Sequence, residues 1–237
     1  MISRLTILIL IIISATVLPQ YGGKNYSLFL GLDYITSAQI FLNPNSSDII
    51  LRNKSYEITN LFSPIIDFRY RINDDIIIGV SSEYIDKSQK TNNLIVREGS
   101  QEIKLEVEDG VQFIPIDFSV YYFLPFSTEQ FKFTMGGGAG YYFGKQTRKF
   151  GDTEIKKIHS KTSLAILVSV GMEYLLTESL GLRLDMKFRS PEISLTNQYL
   201  NDFVNYKGTQ VRLITDTFDS KINLDGISFL VGISYQF

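Results

Sequence analysis

Residues 226 to 237 read GISFLVGISYQF. Every second residue from Ile227 is apolar or aromatic: Ile227, Phe229, Val231, Ile233, Tyr235 and Phe237. Between them stand Gly226, Ser228, Leu230, Gly232, Ser234 and Gln236, mostly small or polar. Successive side chains on a strand point to opposite faces, so this stretch is a strand with one wholly apolar face. It stops on an aromatic residue, without a polar tail.

The same period of two runs through most of the chain, and no amphipathic helix competes with it. Eight segments read as strands: Tyr26–Ile35, Asn60–Ile72, Ile76–Ile85, Phe113–Leu124, Gln130–Lys145, Ser163–Leu175, Leu180–Arg189 and Gly226–Phe237. Each is about the length of a membrane-crossing strand, which needs ~9–11 residues. Their connections alternate. Asn73–Asp75, Pro125–Glu129 and Thr177–Ser179 are short, whereas 36–59, 86–112, 146–162 and 190–225 are long. Short turns at one end and long loops at the other predict an all-β, eight-stranded antiparallel up-and-down transmembrane barrel with long extracellular hairpin loops. A sandwich with Greek-key connections has no reason to alternate in this way.

The long connections carry signals of their own. Glu102–Glu108 alternates charged and apolar residues after a turn near Gly99, and Ala38–Leu42 and Ile49–Leu51 flank the turn residues Asn43-Pro44-Asn45-Ser46. Several strands should therefore continue as hairpins beyond the membrane. The last connection, with Tyr199, Phe203, Tyr206 and Val211–Ile214, is too apolar for a simple tether.

Composition narrows the class. The net charge is −2 with 20% charged residues, which gives no reason to expect a nucleic-acid partner. The 17 Phe and 14 Tyr make an aromatic chain, and the absence of Cys excludes disulfides and thiolate metal sites. At the N-terminus one Arg precedes an apolar run of about 14 residues, short of the ~20 that span a bilayer as a helix. A cleaved signal peptide over 1–20, with its end between 15 and 20, is expected; an N-terminal anchor is the alternative. The barrel domain is then 21–237.

Alternation alone does not say which face points outward, because a soluble barrel with an apolar interior has the same pattern. Aromatics at both strand ends, the loop asymmetry and the leader favour lipid outside. Near the short turns fall Tyr26, Phe68, Tyr70, Tyr122, Phe131, Tyr174, Tyr235 and Phe237; near the long loops fall Tyr34, Tyr84, Tyr141, Phe143 and Phe188. The opposite parity then carries Asp33, Asp67, Arg69, Arg71, Glu83, Asp117, Lys132, Glu173, Arg183, Asp185, Lys187 and Arg189. Eight strands leave an interior just wide enough for side chains, so these charges should pair across a filled lumen. Arg71 and Arg189, close to strand ends, are expected to reach water. Gly136, Gly138 and Gly140 share the inner face and should make room for bulky neighbours.

With these features the chain resembles the small outer-membrane barrels of the OmpX, OmpA-barrel and OmpW type. The resemblance implies that Ile227, Phe229, Val231, Ile233, Tyr235 and Phe237 form the signal read by the barrel-assembly machinery. It implies contact with outer-membrane lipid and lipopolysaccharide, and an unidentified extracellular ligand at the long loops. A structural or surface-interaction role is expected, with a narrow OmpW-like channel for small hydrophobic or polar solutes as the alternative.

Catalysis is not expected. Some barrels of this size modify lipid A, but His159 is the single histidine, and Ser160 beside it falls on the opposite face of a strand. No cofactor is expected, and no His or carboxylate cluster has metal-ligand spacing. Glu106, Glu108 and Asp109 are oxygen ligands that could hold Ca²⁺ weakly, though solvated loop charge is the simpler account.

Overall fold

Three reversals at one end of the molecule set its register. Asn73 Oδ1 accepts from the backbone of Asp75 and Ile76 at 2.9 and 2.8 Å. Thr177 Oγ1 accepts from Ser179 and Leu180, and Thr128 Oγ1 from Phe131. Short polar side chains that satisfy the backbone of a turn are what make such reversals tight.

The computed structural model describes residues 24–98, 101–201, 203–213, 217–224 and 226–237; the expected signal peptide lies outside them. Among the described residues there are fourteen strands. They are β1 (Tyr26–Phe41), β2 (Ser55–Arg71), β3 (Ile76–Glu83), β4 (Ile85–Glu98), β5 (Gln101–Phe123), β6 (Phe131–Phe150) and β7 (Thr153–Lys161). The rest are β8 (Ser163–Leu175), β9 (Leu180–Arg189), β10 (Glu192–Tyr199), β11 (Phe203–Tyr206), β12 (Thr209–Arg212), β13 (Thr217–Asn223) and β14 (Gly226–Gln236). One short helix, α1, covers Ile49–Asn53.

Eight of these strands form a closed antiparallel ring in the order β1-β2-β3-β5-β6-β8-β9-β14 and back to β1. β1 and β14 pair from Ser27–Gln236 to Ile35–Ser228, and Tyr26 and Phe237 exchange backbone hydrogen bonds of 3.0 and 2.9 Å. The expected strands Ser163–Leu175 and Leu180–Arg189 have the observed bounds. Four others are longer than expected or begin earlier: β1 runs on to Phe41, β2 starts at Ser55, β5 at Gln101, and β6 continues to Phe150.

Those extensions build a second tier above the ring. The upper part of β1 pairs with β13, β13 with β10, and β10 with β7. Upper β6 pairs with upper β5, and β5 with β4. Between the tiers the inward parity changes: Ile35 and then Ala38 are buried on β1, Leu61 and then Ile58 on β2. The change falls at Thr36 and at Asn60, whose φ of +57° a non-glycine residue seldom adopts.

One expectation fails locally. Ile49–Leu51 is not a strand returning from the Asn43–Ser46 turn but the start of α1. Asp48 precedes it in an extended conformation and accepts a hydrogen bond from Ile50 N at 2.8 Å, an N-cap that starts a helix instead.

The two faces of the ring differ completely. Outward residues are apolar and open: Leu164 is 72% and Ile166 76% exposed, and Phe62, Phe118, Leu184, Phe229 and Ile233 are exposed with them. Inward residues include Arg183 and Arg189, at 2% and 1%. The ring is apolar outside and holds its charges inside, the reverse of a soluble barrel.

Candidate functional site: a stacked interior

Inward parity on the ring gathers nine of the twelve expected charges into a buried network. Its lower half holds Asp67, Arg69, Arg183 and Asp185. Arg69 bridges Asp67 at 3.1 Å and Asp185 at 2.9 Å, while Arg183 binds Asp67 and lies 3.1 Å from Asp185. Two acids face two bases, and both guanidiniums lie over rings, Arg69 on Tyr121 and Arg183 on Phe29, each at 3.8 Å. Cations stacked on aromatic faces keep part of the stabilisation that water would have supplied.

The upper half holds Asp33, Glu83, Asp117, Lys187 and Arg189. Lys187 donates to Glu83 at 3.0 Å and to Asp117 at 3.1 Å. Arg189 grips both oxygens of Glu83 and reaches Asp33 at 3.4 Å. Arg189 therefore does not face water, as its place at the end of β9 suggests, because the second tier roofs it. Charges so deeply buried are tolerable only when each has such partners.

The other three sit apart. Arg71, Lys132 and Glu173 are half-buried near the short-turn end, where Arg71 and Glu173 line a recess of about 40 Å³. Arg71 lies over Phe123, Lys132 is cross-strand from Glu173, and Glu173 accepts from Ser234 and Gln236.

Glycine makes the network fit. A Cβ on Gly140 would collide with Asp117 Oδ1 and the ring of Tyr142, and one on Gly171 with Asp185 Oδ1. The inner glycines of β6 thus give room to carboxylates and tyrosines.

Above the charges lies an apolar layer that includes Ile35, Ile40, Ile58, Leu61, Ile85, Phe113 and Ile222. Above that comes a second polar cluster, in the upper tier. Arg148 Nε stands 3.3 Å from Asp109 Oδ1, Gln146 donates to Tyr56 at 3.2 Å, and Asn197 donates to Gln146 and Ser220. Burial raises the Asp109 carboxyl above its ordinary value, with Arg148 pulling the other way. Burial, then Asp109, raises the Tyr56 phenol. A last apolar cluster of Val107, Phe150, Tyr199, Val204 and Leu213 caps the tier.

The reading of Glu106, Glu108 and Asp109 as solvated loop charge or a weak Ca²⁺ set does not survive for Asp109. Alternation on β5 turns Glu106 to solvent and Asp109 inward to Arg148, so the three do not converge. Nor was the Arg148 cluster visible in the sequence. The alternation of Gln146, Arg148 and Phe150 was its one local signal, lost because the strand was expected to stop at Lys145.

His159 is exposed on β7, cross-strand from Thr196, in a shallow cleft with Lys161, Ser194 and Asp219. Ser160 is paired one position on, facing the other way. The five alternate residues of β14 from Ile227 to Tyr235, with Phe237 after it, are all exposed on the outer face. There Tyr26 stacks against Phe68 of β2 and, across the closing seam, against Phe237.

Neither a protein-family model nor a curated protein matches this chain. Solved structures do. The outer membrane protein OprG from Pseudomonas aeruginosa superposes with a TM-score of 0.60 at 14% identity, over 90% of this chain and 96% of that one. Ail, the attachment invasion locus protein of Yersinia pestis, gives 0.47 at 11% identity, over 90% and 99%. The outer membrane protein AlkL gives 0.47 at 14% identity, over 93% of each chain. The fold is the one seen in OprG, that of a small outer-membrane β-barrel.

Proposed function

We propose that this protein is a bacterial outer-membrane barrel that projects a rigid two-tiered wall from the cell surface and acts by surface contact rather than transport. The ring lies in the membrane, its short turns face the periplasm, and the second tier stands outside. The observation that carries this reading is an apolar exterior around an interior closed at several heights. The nine-charge network, the apolar layer over it and the upper clusters each obstruct the axis. Lipid accepts an apolar exterior, whereas a cation there costs ~2–4 kcal/mol at the midplane.

The exposed outer residues of β14 support its reading by the assembly machinery, and the outer face of the upper tier is the surface offered to partners. Planar-bilayer recording tests the non-conducting reading. Protein reconstituted from detergent should give no steady single-channel current. Steady unitary currents would replace this function with that of a narrow channel.

A further inference from the structure

The second tier has a break in its wall. β6 and β7 pair only through Lys149–Glu154 and Phe150–Thr153. Below that point upper β6 pairs on its other side with β5, and β7 with β10, so among the described residues two strand edges face each other without a hydrogen-bonded ladder. Lys157 spans part of the gap, donating to the carbonyl of Gly144 at 3.1 Å. Beside it opens a cleft of about 410 Å³.

The lining of this cleft is basic. Lys145, Lys149, Lys156 and Lys157 are all exposed, with Glu154 as the one carboxylate among its lining residues. At its floor Arg148 is already neutralised by Asp109, which leaves a net charge of about +3 on the rim. A bulge opposite Thr196 and Asn197 leaves Ile158 unpaired, and Lys156 and Lys157 are consecutive yet both exposed. Four ammonium groups held on strands around one cleft repel one another unless an anion shares them.

Height argues for what the anion is attached to. Lys145 is two residues beyond Phe143, an exposed aromatic at the top of the apolar face, and Lys149 is six beyond. At ~3.3 Å per residue the cations begin about 7 Å above that ring and extend to about 20 Å along the strand. Strand tilt lowers the upper figure to about 15 Å. The polar zone of a phospholipid leaflet is only about 5–8 Å deep. The cations therefore start at headgroup depth and rise past it.

We propose that the β6–β7 cleft binds phosphate carried on the sugar headgroup of an outer-leaflet glycolipid, holding the upper tier against the membrane surface. This rests on the outer-membrane reading above.

The test uses the full chain in neutral detergent and two glycolipids that differ only in the sugar phosphate. Native mass spectrometry should show the phosphorylated lipid retained and the dephosphorylated one lost. The exposed triple variant Lys145→Gln/Lys149→Gln/Lys156→Gln should retain it at least tenfold more weakly, while keeping the heat-dependent gel mobility of a folded barrel. Equal retention by variant and wild type would overturn the site. So would equal retention of the two lipids. Inorganic phosphate or a free sugar phosphate binding as tightly as the lipid would overturn the membrane-borne ligand. Failure of the outer-membrane reading shows separately, as protein that does not insert into vesicles.

Discussion

Arg189 on β9 donates to Glu83 on β3 through two of its nitrogens, across 106 residues of chain. Glu83 also receives Lys187, so one carboxylate holds two buried cations. Glu83→Gln leaves both short of countercharge, and the ring should lose about 3–5 kcal/mol. The midpoint of urea unfolding in lipid vesicles reads this directly. Glu83→Gln/Arg189→Met/Asp33→Asn should lose less than Glu83→Gln alone, since it removes Arg189 together with the Asp33 carboxylate it holds, and Lys187 keeps Asp117. A triple variant at least as unstable as the single one would mean the lost countercharge is not the cause.

The same variants should stay closed. The apolar layer above the charges, with Phe113 and Ile58, does not depend on Glu83. Bilayer recordings of Glu83→Gln should be as silent as those of wild type. New steady currents would locate the barrier in the charge network alone.

Gly171 and Asp185 are register partners on β8 and β9, and a Cβ on Gly171 meets the Asp185 carboxylate. Gly171→Ala should therefore push Asp185 off Arg69 and cost about 1–3 kcal/mol, the usual range for overpacking. Urea midpoints within a few tenths of a molar of wild type would show that the network absorbs a methyl group freely.

Asp109 in the upper tier gives a pH dependence. Its carboxyl is raised by burial, so the folded state keeps a proton that the unfolded chain has released. Stability of the tier therefore falls as pH rises from the ordinary aspartate value to the raised folded one. Proteolysis of the β4–β5 hairpin, scored against protease activity at each pH, should be slower on the acid side. Asp109→Asn should flatten that slope. A wild-type tier that grows more resistant as pH rises through the window would reverse the sign and defeat the argument.

Phe237 separates assembly from stability. It is half-exposed and stacks on Tyr26 and Tyr235. Phe237→Ala should lower the amount of protein reaching the outer membrane several-fold, yet unfold in vitro within about 1 kcal/mol of wild type. Undiminished export would remove the assembly role of the outward β14 residues.

The ring was legible because one physical rule covers it. Where lipid or the lumen meets every residue, alternation is strict, and Ser163–Leu175 and Leu180–Arg189 show it without interruption. The second tier was legible only as strands running on into hairpins; its pairing was not, because those strands meet water on one side and a mixed core on the other, so Lys156–Lys161 shows little alternation. The parity change at Thr36 and Asn60 is carried by backbone geometry, which a hydropathy pattern does not record. The twelve inner charges could be grouped by parity, but which acid meets which base depends on strand stagger. Arg189 looked like a mouth residue only because the roof above it was not seen.

The pairing of β1 with β14 has a consequence for how the chain reaches this state. The two seam strands are separated by nearly the whole sequence, so the wall has no stable partial form with both edges satisfied. Contact order is correspondingly high, and pairing across such a separation in sequence is intrinsically slow. Until it happens the chain exposes two long unpaired edges and an apolar face meant for lipid, a species prone to aggregate in water. The same seam that leaves the finished wall without an edge is therefore what leaves the unfinished chain with two.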